Sequence, residues 1–173
     1  MPVSIASPTD IPVLNILINS AYRGASSKTG WTTEADILGG IRIDEEGLEK
    51  YFAQSDTTLL KYTAESGELV GTVCLEVKPG ELYLGMFAVS PALQAGGIGK
   101  ALLAAAEVFA LQHHCPKITI SVISIREELI AWYKRNGYVP TGQAIAFEEI
   151  EGRFGDPKLE GITLITMEKI LVK

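Results

Sequence analysis

Apolar residues recur every three or four positions through the stretch IPVLNILI, residues 11–18, directly behind the polar cluster Ser7-Pro8-Thr9-Asp10. That spacing predicts a helix, preceded by a short strand in residues 2–6. The polar run RGASSKTGW, residues 23–31, reads as a loop. Residues 33–38 open a second helix and residues 44–52 fit a short third. From Thr57 the period drops to two: TLLKYTA, ELVGTVCLEVK and ELYLGMFAVS are strand-like runs separated by Glu65-Ser66-Gly67-Glu68 and Pro79-Gly80. They predict a three-stranded antiparallel meander. A helix over residues 97–113, a strand in KITISVIS and a helix over residues 126–135 follow, the last closed by Asn136-Gly137 as a left-handed cap. YVPTG and GITLITMEKIL supply late strands. The architecture is α/β, antiparallel through the meander, with a strand-helix-strand crossover in the middle and no internal repeat.

The meander also predicts a register. With Pro79-Gly80 as a tight turn, Lys78 opposes Glu81 and Glu76 opposes Tyr83, which places Glu76 and Tyr83 on one face beside Cys74 and Gly85. The other face then carries Val73, Leu75, Val77, Leu82, Leu84 and Met86 as plain core.

Composition narrows the classes. At 173 residues the chain fits one domain spanning 1–173, with 47% hydrophobic and 21% charged residues, the balance of a globular protein. A net charge of −6 with no basic block argues against nucleic acid and mildly favours cationic or neutral partners. No run approaches the ~18 apolar residues of a membrane span, and no basic-then-apolar leader opens the chain, so a cytoplasmic protein is expected. Cys74 and Cys115 suggest two free thiols, and no metal-ligand set is visible. His113 and His114 close a helix, where positive charge suits the dipole.

The stretch VSPALQAGGIGK, residues 89–100, packs three glycines into four residues just before an alanine-rich helix. The dinucleotide pattern G-x-G-x-x-G fails at Leu102, and the P-loop pattern fails at Gln94 and Ala101. A helix N-terminus stripped of side chains remains, and its free N–H groups suit an anion, a pyrophosphate above all. A ligand-free turn would use the same glycines.

The order of elements and the wording V-x-P-x-x-Q-x-x-G-x-G, carried by Val89, Pro91, Gln94, Gly97 and Gly99, resemble the acetyl-CoA motif of the GNAT superfamily of N-acetyltransferases. A second motif, Arg126-x-x-Leu129-x-x-x-Tyr133-x-x-x-Gly137-Tyr138, extends the resemblance, although family members often carry Asn and Ala where this chain has Arg126 and Leu129. The resemblance implies a mixed, mostly antiparallel sheet of about six to seven strands flanked by helices. It implies acetyl-CoA as cosubstrate and no metal. Backbone amides of Ala95, Gly96, Gly97, Ile98, Gly99 and Lys100 would cradle the pyrophosphate, with Gln94 near the phosphates. Phe87, Ala88 and Val89 would run beside the pantetheine arm. Arg126 either serves a phosphate or sits in solvent.

Acetyl transfer to an amine needs a neutral nitrogen, a stabilised oxyanion and a proton for the departing thiolate. An amine of pKa about 10.4 is neutral in roughly one molecule in two thousand at pH 7, so some group must take its proton. The resemblance gives Tyr133 the thiolate; helix packing is its other reading. Some family members place a base on the fifth strand, where this chain has Ser121. Glu76, acting through water beside Tyr83, is the candidate base, with an exposed carboxylate as the alternative. Cys74 has no adjacent histidine, so direct attack without an acyl-enzyme is expected. A coenzyme A-binding sensor without turnover, or an oligomer built on the stretch beginning at Phe147, are the rival readings. Residues 23–31 and 147–156 either wall the acceptor cleft or serve elsewhere, the latter stretch in a homodimer.

Overall fold

The computed structural model describes residues 2–22, 38–39, 42–94, 96–146, 156–157 and 162–172. The loop at 23–31, the helix start at 33–37, residues 147–155 and Ala95 lie outside the described residues.

In chain order the elements are β1 (Val3–Ile5), α1 (Ile11–Tyr22), β2 (Leu38–Gly39), α2 (Glu45–Ala53), β3 (Thr57–Thr63), β4 (Leu69–Lys78), β5 (Glu81–Val89), α3 (Ile98–Gln112), β6 (Lys117–Ile123), α4 (Glu127–Arg135), β7 (Val139–Ala146), β8 (Asp156–Pro157) and β9 (Thr163–Ile170). Seven strands form one sheet in the order β1-β3-β4-β5-β6-β9-β7, and β2 pairs separately with β8. Each pairing in the large sheet is antiparallel except β5 with β6, which the α3 crossover makes parallel. None of the described helices is long and apolar enough to cross a membrane.

Local chemistry sets the boundaries. The Gly47 N–H donates to Asp44 Oδ1 at 2.7 Å, so Asp44 caps α2 one residue before its first turn. Ahead of α1, the Ser7 N–H donates to Asp10 Oδ2 at 2.9 Å, and Lys61 on β3 ties the same carboxylate to the sheet at 3.0 Å. Gly137 takes φ +95 and ends α4, the cap expected of Asn136-Gly137. At the end of α3, His113 Nδ1 lies 2.9 Å from the Phe109 carbonyl and its ring stacks on Phe109, which confirms its terminal role. The expected helix through Leu38 is corrected at that residue, which pairs as strand with Pro157.

The sheet carries a core on each face. One packs α3 and α4 against Val73, Leu75, Leu82, Leu84, Ile118, Ile120 and Val122; the other packs α1 and α2 against Leu59, Cys74, Met86 and Ala88. The predicted hairpin register holds at Lys78↔Glu81, Glu76↔Tyr83 and Cys74↔Gly85. Beyond Gly85 it does not. Thr72 pairs with Ala88, so the single residue Val73 lies opposite both Met86 and Phe87, and Met86 takes φ 44. This is a β-bulge, and it moves every later side chain of β5 to the other face. Met86, expected among Leu82 and Leu84, is therefore corrected to the α1/α2 core.

Candidate functional site

The bulge and the crossover together open a cleft. β6 pairs with β9 along its whole length, from Lys117↔Ile170 to Ile123↔Leu164, but with β5 only at Leu82↔Ile118 and Tyr83↔Thr119. Past Tyr83 the two parallel strands part. A cleft of about 620 Å³ lies on the α3/α4 side of that gap. Phe87 and Val89 supply one wall, and Leu129 and Trp132 of α4 supply the other. Strict alternation from Leu82 would turn Phe87 and Val89 away; the bulge turns them in.

At one end of the cleft stands the start of α3. Gly97 is its N-cap in the left-handed region, φ +86, and an ideal Cβ built there meets nothing within 4 Å. Among the described residues no side chain caps this helix. The first-turn N–H groups of a 15-residue helix thus end beside an open cradle, where a Cβ and a ligand would compete for the same space. Gln94 and Lys100 line the same end, and the Gln94 amide also donates to the Val89 carbonyl at 3.0 Å, fixing the turn. Gly99 has another role: a Cβ there would come within 3.3 Å of Phe87 and Trp132, whose rings sit 5.8 Å apart across it.

The remaining expected residues are divided. Ala88 and Ile98 are buried, Ile98 against Gly71, and neither is among the cleft-lining residues. The Gly96 N–H donates to the Leu93 carbonyl at 3.3 Å. Arg126 is the N-cap of α4 and is not among the cleft-lining residues. Tyr133 is 5% exposed, with its ring edge-on to Trp132 and to Tyr138 at 5.1 and 5.5 Å.

Glu76 and Tyr83 lie on the sheet's other face, half-buried cross-strand neighbours. The Tyr83 ring leans along β5, its Cε1 3.2 Å from where a Gly85 Cβ would stand. Thr119, paired with Tyr83, and Ser121, paired with Thr166, continue that face on β6. Cys74 is buried there. Burial first, and the Glu76 charge second, push its thiol up to about 12, against a smaller pull from Arg42. Two residues that sequence reasoning did not connect with this face are Tyr51 of α2 and Arg42. Burial raises the Tyr51 phenol, which also feels Arg42, Cys74, Tyr83 and Glu76. The helical spacing of Leu48, Tyr51 and Phe52 marks Tyr51 only as core; its neighbours come from other strands.

A family model described as Acetyltransferase (GNAT) family matches residues 16–138. The mycothiol acetyltransferase of Jonesia denitrificans is 28% identical over 141 residues, covering 79% of this chain and 44% of that protein. The chain thus spans less than half the length of this relative. Among solved structures, a ribosomal-protein-alanine N-acetyltransferase from Brucella melitensis superposes with a TM-score of 0.73 at 20% identity, over 99% of this chain and 100% of that one. The ribosomal-protein-S18-alanine N-acetyltransferase from Escherichia coli gives 0.71 at 16% identity, over 99% and 94%. At these identities the likeness is one of fold.

Proposed function

Because this chain belongs to the GNAT family of acetyltransferases, we propose that it transfers the acetyl group of acetyl-CoA to an amine. The observation that carries this reading is the parting of β5 from β6 beside the uncapped start of α3. Acetyl-CoA, when bound, supplies an acyl group activated as a thioester. The N–H groups of the first turn of α3, entered through Gly97, hold the pyrophosphate, with Gln94 and Lys100 alongside. Phe87, Ala88 and Val89 run beside the pantetheine arm, and Leu129 and Trp132 exclude water from it. In this reading Gly96, Ile98 and Gly99 contribute backbone N–H groups, and Arg126 is the residue at the start of α4.

Tyr133 gives the proton that the departing thiolate needs. Glu76 takes the proton of the incoming ammonium through water, with Tyr83 fixing that water. The amine attacks the thioester directly, since a Cys74 thiol held near 12 supplies almost no thiolate at neutral pH. The relatives are named for mycothiol and for the alanine of a ribosomal protein, so family membership does not choose among small-molecule, amino-acid, peptide and protein amines.

Free-thiol release from acetyl-CoA, followed across an amine panel, tests the proposal together with thermal stability. A saturating concentration about 100 times the dissociation constant adds about 2.7 kcal/mol to stability. Stabilisation with amine-dependent thiol release supports it. Stabilisation without release from any amine makes the chain a coenzyme A-binding module instead.

A further inference from the structure

Lys169 of β9 pairs with Ile118 across the sheet, so its side chain shares the α3/α4 face with the buried Met167 two residues earlier. Its ammonium forms an ion pair with the Glu107 carboxylate of α3. On the way there its stem passes the end of α4: a Cβ at Gly137 would stand 3.0 Å from Lys169 Cε and 3.4 Å from Nζ. One side chain of β9 thus touches both α3 and the cap of α4.

That cap is bonded to Tyr133. The Gly137 N–H donates to the Lys134 carbonyl at 3.1 Å and the Tyr138 N–H to the Tyr133 carbonyl at 3.0 Å, while the Tyr138 ring stands edge-on to Tyr133. Glu107 acts on the same place, because its charge adds to burial in raising the Tyr138 phenol. The side chains of Lys169 and Glu107 are only 28% and 31% exposed, and taking two ions that far from water costs free energy that their attraction merely offsets. Such a pair adds little stability. What it supplies beyond the surrounding apolar packing, which has no direction, is a fixed geometry.

We propose that Lys169 and Glu107 are positioning residues for acetyl transfer: the pair ties the cap of α4, and with it Tyr133, to the helix whose start holds the pyrophosphate. The inference rests on the acetyltransferase reading, and on Tyr133 within it, for its effect on rate, but not for the tie itself. Cofactor and proton donor stand on two different helices, and a misplacement of about 1 Å between reacting groups can cost about a hundredfold in rate. Lys169, from a third element, sets the one helix against the other.

The charge-free double variant Lys169→Met with Glu107→Gln tests the role without stranding one ion. Its melting temperature should stay within a few degrees of the parent, and its acetyl-CoA dissociation constant by calorimetry within about twofold. Its kcat for thiol release should fall about tenfold. In amide hydrogen exchange the Gly137 and Tyr138 N–H groups should exchange about tenfold faster, with Leu103 and Ala106 inside α3 unchanged. On a Tyr133→Phe background the same two substitutions should change kcat by less than about twofold, since the pair acts through that hydroxyl. Glu107→Asp, a milder change that keeps both charges and draws the carboxylate back, should lower kcat about threefold at unchanged acetyl-CoA affinity. Parent-like exchange at Gly137 and Tyr138, a parent-like kcat in both variants, or an equal loss of kcat with and without the Tyr133 hydroxyl would overturn the proposal and leave the acetyltransferase reading standing. A parent that releases thiol with no amine would overturn that reading and the effect on rate with it, and the exchange measurement would then decide the tie alone.

Discussion

Gly97 and Gly99 stand two residues apart and are glycine for different reasons, which makes them separable by mutation. Gly97→Val meets open space, so its cost to the fold is the left-handed φ of +86, about 1–2 kcal/mol and a few degrees of melting temperature. Acetyl-CoA binding should weaken in addition, at least tenfold in the dissociation constant by calorimetry, because the side chain fills the cradle. Unchanged affinity in the folded variant would remove the pyrophosphate from this turn. Tyr133 and Tyr138 form a second contrast. Tyr133→Phe keeps the edge-on packing and deletes the hydroxyl, so turnover should fall about 10²–10³-fold with acetyl-CoA affinity unchanged. A parent-like rate from pH 6 to 9 would make Tyr133 a packing residue. The Tyr138 hydroxyl is fully buried with no partner among the described residues, and burial, then the charge of Glu107, raises its pKa. An unsatisfied buried hydroxyl costs about 1–3 kcal/mol, so Tyr138→Phe should raise the melting temperature by a few degrees. A lower melting temperature would mean that the hydroxyl has a partner after all.

At the scale of elements, the junction of α1 with β3 gives a pH-dependent prediction. Burial works to raise the Asp10 pKa, but the Ser7 N–H and Lys61 outweigh it, so the folded value lies below the ordinary 3.8. A depressed carboxylate contributes stability that is present above the unfolded value and lost as pH falls through the folded one. Asp10 is partly exposed, so the contribution is about 1 kcal/mol or less. The parent should melt slightly above Asp10→Asn at pH 7, and the gap should close below about pH 3.8; a gap constant from pH 7 to 3 would remove the linkage. Legibility divides among elements in the same way that their causes do. The β4–β5 register was readable because Pro79-Gly80 fixes it locally, Gly80 taking φ +77. The bulge was not, because Met86 and Phe87 are both apolar and alternation cannot show where an extra residue sits. The α3 cradle was readable from three glycines in a row of motif residues. Tyr51 was not, because α2, β4 and β5 meet only in the folded sheet.

On the proposed function, one sheet would keep two ligands apart: the cleft proposed for acetyl-CoA opens on the α3/α4 face, and the row of Glu76 and Tyr83 lies on the α1/α2 face. On the direct-attack proposal the amine reaches the thioester across the gap between β5 and β6, which requires both substrates to be bound together. Initial rates should therefore give intersecting, not parallel, double-reciprocal lines when acetyl-CoA and amine are varied. An acyl-enzyme route would need a thiolate on the amine side, and Cys74 is the cysteine on that face. With its thiol held near 12 by burial and by Glu76, less than about one molecule in ten thousand is ionised at pH 7. Cys74→Ala should thus keep turnover within about twofold, after allowing for a cavity cost of about 1 kcal/mol in stability. Mass spectrometry of the parent incubated with acetyl-CoA alone should show no acetylated Cys74. Parallel lines, an acetyl adduct on Cys74 that an added amine discharges, or a large loss of turnover in a folded Cys74→Ala variant would replace direct transfer with a two-step route.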